Sequence, residues 1–150
     1  MKIELREDLA PNPEFYYRQQ FEIYDQSFLI WDRETWEAVL AACRVYQIEV
    51  DGKNAGDVIW EEKGRESKYL VDFGLLPEYR GKGVGKEVLE ALKGMGGRLT
   101  AVTRKETLEF FLKSGFVIEK RMRNYYGPGL MGYYIRYQKT GMPPVRRRRP

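Results

Sequence analysis

The sequence has no histidine and a single cysteine, Cys43, among its 150 residues. The missing histidines exclude imidazole general bases, Ser-His and Cys-His nucleophile pairs and the most common transition-metal ligand. A lone cysteine excludes an intramolecular disulfide, a CxxC redox pair and a thiolate zinc site. We therefore expect no metal site, and any catalysis must use carboxylates, tyrosines, amines and backbone dipoles.

Long apolar runs are also missing. No segment approaches the roughly 18 apolar residues of a membrane span. The N-terminal sequence "MKIELREDLA" lacks the charged-then-apolar layout of a secretory signal. Hydrophobic residues make up 43% of the chain and charged residues 32%, which indicates a globular domain. We expect a cytoplasmic protein with no membrane partner.

The net positive charge of the chain comes from one end. The formal net charge of +4 equals the charge of Arg146, Arg147, Arg148 and Arg149, so the rest of the chain is neutral (4 − 4 = 0). The segment "TGMPPVRRRRP" predicts a flexible basic tail over residues 140–150, after a single domain of residues 1–139. A solvated tail without a partner and a tail that binds a phosphate-rich or acidic partner both fit. The neutral body argues against a nucleic-acid partner.

Hydrophobic periodicity predicts a mixed α/β sheet of about seven strands in one domain, with helices on both faces. In the first helix, the pattern places Gln19 and Glu22 on one face and Tyr16, Phe21 and Ile23 largely on another. The predicted order is β α α β β β α β α β β, with strands at 2–5, 44–50, 55–62, 68–76, 98–102, 116–126 and 132–138 and helices at 13–28, 33–42, 84–93 and 105–114. We expect the apolar strand at 68–76 to lie inside the sheet.

The glycine-rich turn "RGKGVGKE" follows that apolar strand and opens a helix. It fails the P-loop pattern, because Arg80 stands where glycine is required and Glu87 follows the lysine. Its spacing, G-x-G-x-G, also differs from the dinucleotide fingerprint G-x-G-x-x-G. Glycines at a helix start let free backbone N–H groups approach a phosphate. A tight loop with solvated lysines is the alternative.

"LLPEYRGKGVGKEVLEAL" resembles the acetyl-CoA-binding segment of the GNAT superfamily of N-acyltransferases, whose pattern [QR]-x-x-G-x-[GA] is met by Arg80, Gly83 and Gly85. "TLEFFLKSGFVIEK" is similar to the family's later helix and strand. The resemblance spans about residues 44–138. It implies a GNAT-like fold and direct transfer of an acetyl group from acetyl-CoA to a primary amine, on a small molecule or a protein N-terminus.

The resemblance also implies a binding site for coenzyme A. The strand before the turn would splay from its neighbour, with pantetheine along its backbone and the pyrophosphate in the turn. The cofactor-binding residues implied are Phe73, Gly74, Leu75 and Leu76 on the strand, Arg80, Gly81, Lys82, Gly83, Val84, Gly85 and Lys86 in the turn, and Phe111 on the later helix. Glycine inside a strand, at Gly74, fits a close ligand approach.

GNAT enzymes use no protein nucleophile, which agrees with this composition, but the acceptor amine must lose a proton. Asp72 is the candidate base, because it is the one carboxylate in "KYLVDFGLL" and the family's bases tend to lie on this strand. A carboxylate at a wet strand end, or one paired with an arginine, is the alternative. Phe111 occupies the position of the family's tyrosine acid and cannot donate a proton.

The segment "RNYYGPG" resembles the penultimate-strand turn of ribosomal-protein N-terminal acetyltransferases. Tyr125 and Tyr126 are therefore candidates for substrate contact or for a substitute acid, with cross-strand aromatic packing as the alternative. Because Phe111 lacks a hydroxyl, a non-catalytic acyl-CoA-binding or partner-binding module of the same fold is the rival function. Neither the amine acceptor nor the oligomeric state can be read from the sequence, and a homodimer stays open.

Overall fold

The computed structural model describes residues 1–139, and the predicted basic tail lies outside them. The strands are β1 Ile3–Glu7, β2 Arg44–Val50, β3 Lys53–Glu62, β4 Ser67–Leu75, β5 Arg98–Arg104, β6 Val117–Gly127 and β7 Leu130–Gln138. The helices are α1 Pro13–Ile23, α2 Arg33–Ala42, α3 Val84–Gly94 and α4 Lys105–Lys113, with short 3-10 turns at Ser27–Leu29 and Pro77–Tyr79. The predicted order of strands and helices is confirmed.

One seven-stranded sheet runs in the order β1-β2-β3-β4-β5-β7-β6, so β4 lies at its centre as predicted. All neighbours pair antiparallel except β4 and β5, which are parallel. This parallel ladder pairs Ser67 with Arg98 and ends where Leu70 pairs with Ala101. Because β4 continues to Leu75 and β5 to Arg104, the two strands part beyond the last pair and leave a gap in the middle of the sheet.

The residues of β3 divide the hydrophobic core between the two faces of the sheet. Val58 and Trp60 belong to a cluster with Leu89 and Leu92 of α3, whereas Ile59 packs in a second cluster with Tyr16 and Trp36 of the first two helices. Successive side chains of a strand point to opposite faces, so the predicted arrangement of helices on both faces is confirmed. Within residues 1–139, no helix combines the length and hydrophobicity that a membrane span requires.

Helix α1 differs from the sequence prediction in its length and in its buried face. It ends at Ile23, five residues before the predicted end, and Tyr24 has extended backbone angles. Gln19 and Gln20 are only 4% and 2% exposed, whereas Phe21 is 53% exposed. A side-chain amide can be buried when its polar atoms form hydrogen bonds inside the protein. The Gln20 side chain meets this condition, because it binds both the N–H and the C=O of Trp31, at 2.9 and 2.8 Å.

Candidate active site

The gap between β4 and β5 opens into a cavity of about 930 Å³. The lining consists of Tyr24, Phe28, Leu29 and Trp31 from the segment after α1, residues 69–73 and 75 of β4, residues 80–81 and 83–86 of the glycine turn and α3, residues 101–104 of β5, Thr107, Phe110 and Phe111 of α4, and Tyr125 and Tyr126 of β6. The structure thus brings most of the predicted site residues together around one space. Gly74, Leu76 and Lys82 are absent from the lining.

The start of α3 presents backbone N–H groups without partners. Gly83 is the N-cap residue, with φ +82° and no side-chain hydrogen bond that caps the helix. The Glu87 N–H donates to the Gly83 carbonyl at 3.1 Å, and within residues 1–139 the N–H groups of residues 81–86 have no acceptor. A helix N-terminus with free N–H groups attracts an anion. A Cβ added at Gly81 or Gly83 would meet no atom within 4 Å, so the space above this turn is open.

The guanidinium of Arg80 binds protein carbonyls. It donates from Nε to the Leu75 C=O at 3.1 Å and from a terminal nitrogen to the C=O of Ile23. These bonds fasten the end of β4 to the C-terminus of α1, where a cation is favourable. The predicted contact of Arg80 with a phosphate stays a prediction. Of the two turn lysines, Lys86 lines the cavity and Lys82 does not.

Gly74 makes room for protein side chains. A Cβ on Gly74 would lie 2.6 Å from the Ile23 Cγ2 and 3.0 Å from the Tyr24 hydroxyl. The space above this glycine is therefore filled by the end of α1. Leu76 is also engaged, because its N–H donates to the Ala55 carbonyl at 2.8 Å. Their roles in cofactor binding stay predictions, and the structure supplies a packing reason for the glycine.

Asp72 lies on the lining of the cavity and is only 9% exposed. Its Oδ1 accepts a hydrogen bond from the Tyr24 hydroxyl, and its Oδ2 has no partner within residues 1–139. Burial raises the pKa of Asp72, while the nearby Asp57 carboxyl group and the hydroxyl of Tyr24 act in the opposite direction. The alternatives of a wet strand end and of an arginine partner do not describe this carboxyl group.

Asp57 on β3 is a buried carboxyl group that the sequence analysis missed. It is 2% exposed, and its Oδ2 accepts a hydrogen bond from Gln19 Nε2 at 3.0 Å. Burial and the nearby Asp72 carboxylate hold the pKa of Asp57 well above its ordinary 3.8. A carboxylate inside the otherwise apolar strand "AGDVIW" was the available signal, because charged groups are rarely buried without a partner.

Tyr125 and Tyr126 of β6 also line the cavity. Their rings meet edge to face, with centroids 4.8 Å apart, and the Tyr126 ring lies 5.6 Å from that of Phe28. The Tyr126 hydroxyl donates to the Val102 carbonyl at 3.4 Å, and burial raises the pKa of Tyr126 to about 12. Tyr126 therefore keeps its proton at neutral pH. Tyr125 is 49% exposed, so both the substrate-contact and the aromatic-packing interpretations remain.

Phe111 is packed among aromatic rings and offers no proton. It is 8% exposed, and its ring lies 5.2 Å from that of Phe110 and 5.3 Å from that of Phe116. The hydroxyl groups nearby belong to Thr103 and Thr107, which line the cavity with their Oγ1 atoms 2.5 Å apart. Thr107 precedes Phe111 by one helical turn, so both side chains lie on the same face of α4.

Comparison with known families decides the classification. Residues 41–118 match the model of the acetyltransferase (GNAT) domain, which is more than half of the chain. The chain belongs to the GNAT acetyltransferase family. The resemblance stated from the glycine turn is thereby confirmed. No curated protein sequence matches this GNAT chain significantly.

Solved structures share the fold of this GNAT domain at low sequence identity. The ribosomal-protein-S18-alanine N-acetyltransferase of Escherichia coli is 17% identical over 93% of this chain and 97% of its own, with a TM-score of 0.76. Arabidopsis thaliana Naa50, in complex with the bisubstrate analogue CoA-Ac-MVNAL, is 17% identical over 93% and 100%, with a TM-score of 0.73. A Bacillus subtilis acetyltransferase in complex with CoA is 13% identical over 92% and 99%, with a TM-score of 0.70.

Proposed function

We propose that this GNAT protein is an acetyl-CoA-dependent N-acetyltransferase that transfers an acetyl group directly to a primary amine, either a protein N-terminus or a small molecule. The observation that carries the proposal is that one cavity connects the gap between β4 and β5, the uncapped start of α3 and Asp72. The family membership supports acetyl transfer. The structure in complex with CoA supports the donor, and the ribosomal-protein-S18-alanine N-acetyltransferase and the complex with the bisubstrate analogue CoA-Ac-MVNAL support the acceptor class.

The residues at the cavity fit coenzyme A. The free N–H groups of residues 81–86 and the side chain of Lys86 would hold its pyrophosphate. β4 and β5 do not pair with each other beyond Leu70 and Ala101, so pantetheine could pair with the facing strand edges there as an added strand would. When bound, acetyl-CoA supplies a thioester as acyl donor, with a thiol of pKa near 8.5 as leaving group.

The protein's own groups then act on protons and on positioning. Asp72 takes the proton that the acceptor ammonium must lose, because it is the carboxylate on the cavity lining and no other acidic side chain lines this cavity among residues 1–139. Phe111 would pack against the cofactor and has no proton to donate. The Thr107 hydroxyl, on the same face of α4, would stabilise a thiolate leaving group, which needs little help at a pKa near 8.5.

Two measurements on the full chain test the proposal. Isothermal titration with acetyl-CoA measures binding, and thiol release with a panel of amines and peptides, corrected for hydrolysis, measures transfer. Binding with acceptor-dependent thiol release supports the enzyme. Binding without such release supports the rival acyl-CoA-binding module, which Phe111 motivates. Absence of binding at millimolar acetyl-CoA removes both functions.

A further inference from the structure

Asp57 and Asp72 are neighbours on the face of the sheet that α1 covers. In the β3–β4 ladder, Asp57 pairs with Gly74 and Asp72 pairs with Ile59. Side chains two residues apart share a face, so the two aspartates are diagonal cross-strand neighbours on that face. Each carboxyl group is close enough to act on the pKa of the other.

The oxygens of these two carboxyl groups show where a proton is required. Asp57 Oδ2 accepts from Gln19, and Asp72 Oδ1 accepts from the Tyr24 hydroxyl. The remaining oxygens, Asp57 Oδ1 and Asp72 Oδ2, are buried and have no donor within residues 1–139. Two ionised carboxylates in contact repel, and buried polar atoms are normally hydrogen-bonded. One proton between the two orphaned oxygens removes the repulsion and satisfies both.

Within the described part of the chain, no cation binds either carboxyl group, and Arg80, which acts on Tyr24, donates instead to the carbonyls of Leu75 and Ile23. Tyr16 and Gln19 face Asp57 from α1, Gln47 lies opposite it on β2, and Tyr24 faces Asp72. Within residues 1–139, neither aspartate forms an ion pair with lysine or arginine. Asp57 is 2% exposed and accepts from the Gln19 amide, whereas Asp72 lines the cavity and accepts from the Tyr24 hydroxyl. The negative charge is better placed on Asp72, so we assign the shared proton to Asp57.

We propose that protonated Asp57 is a positioning residue, which donates a hydrogen bond to Asp72 and keeps Asp72 ionised as the base. The Tyr24 hydroxyl then connects Asp72 with the cavity. The proposal rests on the proposed N-acetyltransferase function. In the proton step, an N–H bond of the acceptor ammonium breaks and its proton binds the Tyr24 oxygen. The Tyr24 O–H proton moves to Asp72 Oδ1. The ammonium becomes a neutral amine, Asp72 becomes a neutral acid, and Asp57 keeps its proton.

Asp57→Asn and Asp57→Val form the matched pair of variants. Asparagine is nearly isosteric, so its oxygen still accepts from Gln19 and its amide nitrogen still donates to Asp72 Oδ2. Valine is of similar size and donates nothing, which leaves the Asp72 oxygen without a partner. The pair therefore separates the donated hydrogen bond from the mere filling of space.

The first experiment measures urea unfolding of the full chain, without cofactor, between pH 5 and pH 9. A group whose pKa is raised by folding stabilises the protein below its unfolded pKa, and this stabilisation is lost as pH rises toward the folded pKa. We expect the folding equilibrium constant of the wild type, relative to Asp57→Asn, to fall about tenfold per pH unit above the ordinary aspartate range. A ratio that does not change with pH overturns the shared proton.

The second experiment measures kcat/KM against pH with one peptide acceptor, so that ionisation of the acceptor contributes equally to every variant. We expect the acid limb of Asp57→Asn to stay at the wild-type position. The acid limb of Asp57→Val should move up by about one pH unit, because Asp72 loses a hydrogen bond to its charged form. Coincident acid limbs in all three proteins overturn the positioning role.

The two experiments separate failure of this proposal from failure of the proposed function. If the wild type binds acetyl-CoA but transfers no acetyl group, the enzyme assignment fails and takes the catalytic role of Asp57 with it. The pH dependence of the folding equilibrium constant of the wild type, relative to Asp57→Asn, still decides whether Asp57 and Asp72 share a proton. If Asp57→Val does not fold, the wild type and Asp57→Asn alone still decide the shared proton through that ratio. An acid limb of Asp57→Asn displaced from the wild type then overturns the positioning role.

Discussion

Gly74→Ala tests whether the contact between Tyr24 and Asp72 matters for turnover. The added Cβ would lie 2.6 Å from the Ile23 Cγ2 and 3.0 Å from the Tyr24 hydroxyl. Carbon atoms need about 3.5–4.0 Å, so the end of α1 must move by about 1 Å. Overpacking of this kind costs about 1–3 kcal/mol, partly offset by about 0.4–1 kcal/mol from the lower entropy of the unfolded chain.

We therefore expect Gly74→Ala to lose about 1–2 kcal/mol of unfolding free energy, measured by urea denaturation. Turnover should fall by up to about 100-fold, since a displacement near 1 Å moves the Tyr24 hydroxyl away from Asp72. The Kd for acetyl-CoA, measured by titration, should change by less than about threefold, because the atoms nearest the added Cβ belong to Ile23 and Tyr24 and not to residues 81–86 of the turn.

Gly64→Ala is the matched control for the loss of stability. Gly64 lies in the β3–β4 turn with φ +74°, and a Cβ there meets no atom within 4 Å. Alanine in this left-handed conformation costs about 1–2 kcal/mol without any clash, so its turnover should stay normal. Gly74→Ala could instead weaken acetyl-CoA binding more than about tenfold and keep its turnover. In that case the glycine makes room for the ligand, and the explanation that it makes room for the end of α1 is refuted.

Three further predictions concern the base and the turn. Asp72→Asn should lower kcat about 100- to 10,000-fold at neutral pH with the Kd for acetyl-CoA nearly unchanged, and unaltered kcat would show that Asp72 is not the base. Lys86→Ala should raise that Kd about three- to tenfold at low salt while Lys82→Ala changes it less than about twofold, because only Lys86 lines the cavity; equal effects would contradict this placement. Tyr24→Phe should lower kcat/KM at every pH, because the proton relay is lost, and should move its acid limb upward by about one pH unit, since Asp72 loses its hydroxyl donor; unchanged kcat/KM with an unmoved limb would argue against that contact.

The order of strands and helices was predictable from the sequence because hydrophobic periodicity is a local property. The predicted strands at 44–50 and 68–76 correspond to β2 Arg44–Val50 and β4 Ser67–Leu75. The end of α1 was not predictable, because it depends on distant residues. The Arg80 guanidinium donates to the Ile23 carbonyl at the last turn of the helix, and Tyr24 leaves the helix to bind Asp72. Tertiary contacts of this kind override helix propensity.

The site was predictable to the extent that its residues follow one another in the sequence. The glycine turn and Asp72 were found in this way, and the structure places them on the same cavity. Asp57 and Gln19 were missed, because their hydrogen bond joins residues 38 positions apart. A glutamine on a helix and an aspartate on a strand each look like surface residues until the register of the sheet sets them opposite each other.

The end of α1 connects the glycine turn, proposed to bind the cofactor, with Asp72, the proposed base. Arg80, at the start of the glycine turn, donates to the carbonyl of Ile23, and the next residue, Tyr24, donates to Asp72. Both contacts need the space above Gly74, where no Cβ intervenes. A buried carboxylate without a cation is stable only if fixed donors replace water around it. Because one of these donors, Tyr24, directly follows the residue that Arg80 binds, the position of the proposed base depends on the same backbone that presents the N–H groups proposed to bind the cofactor.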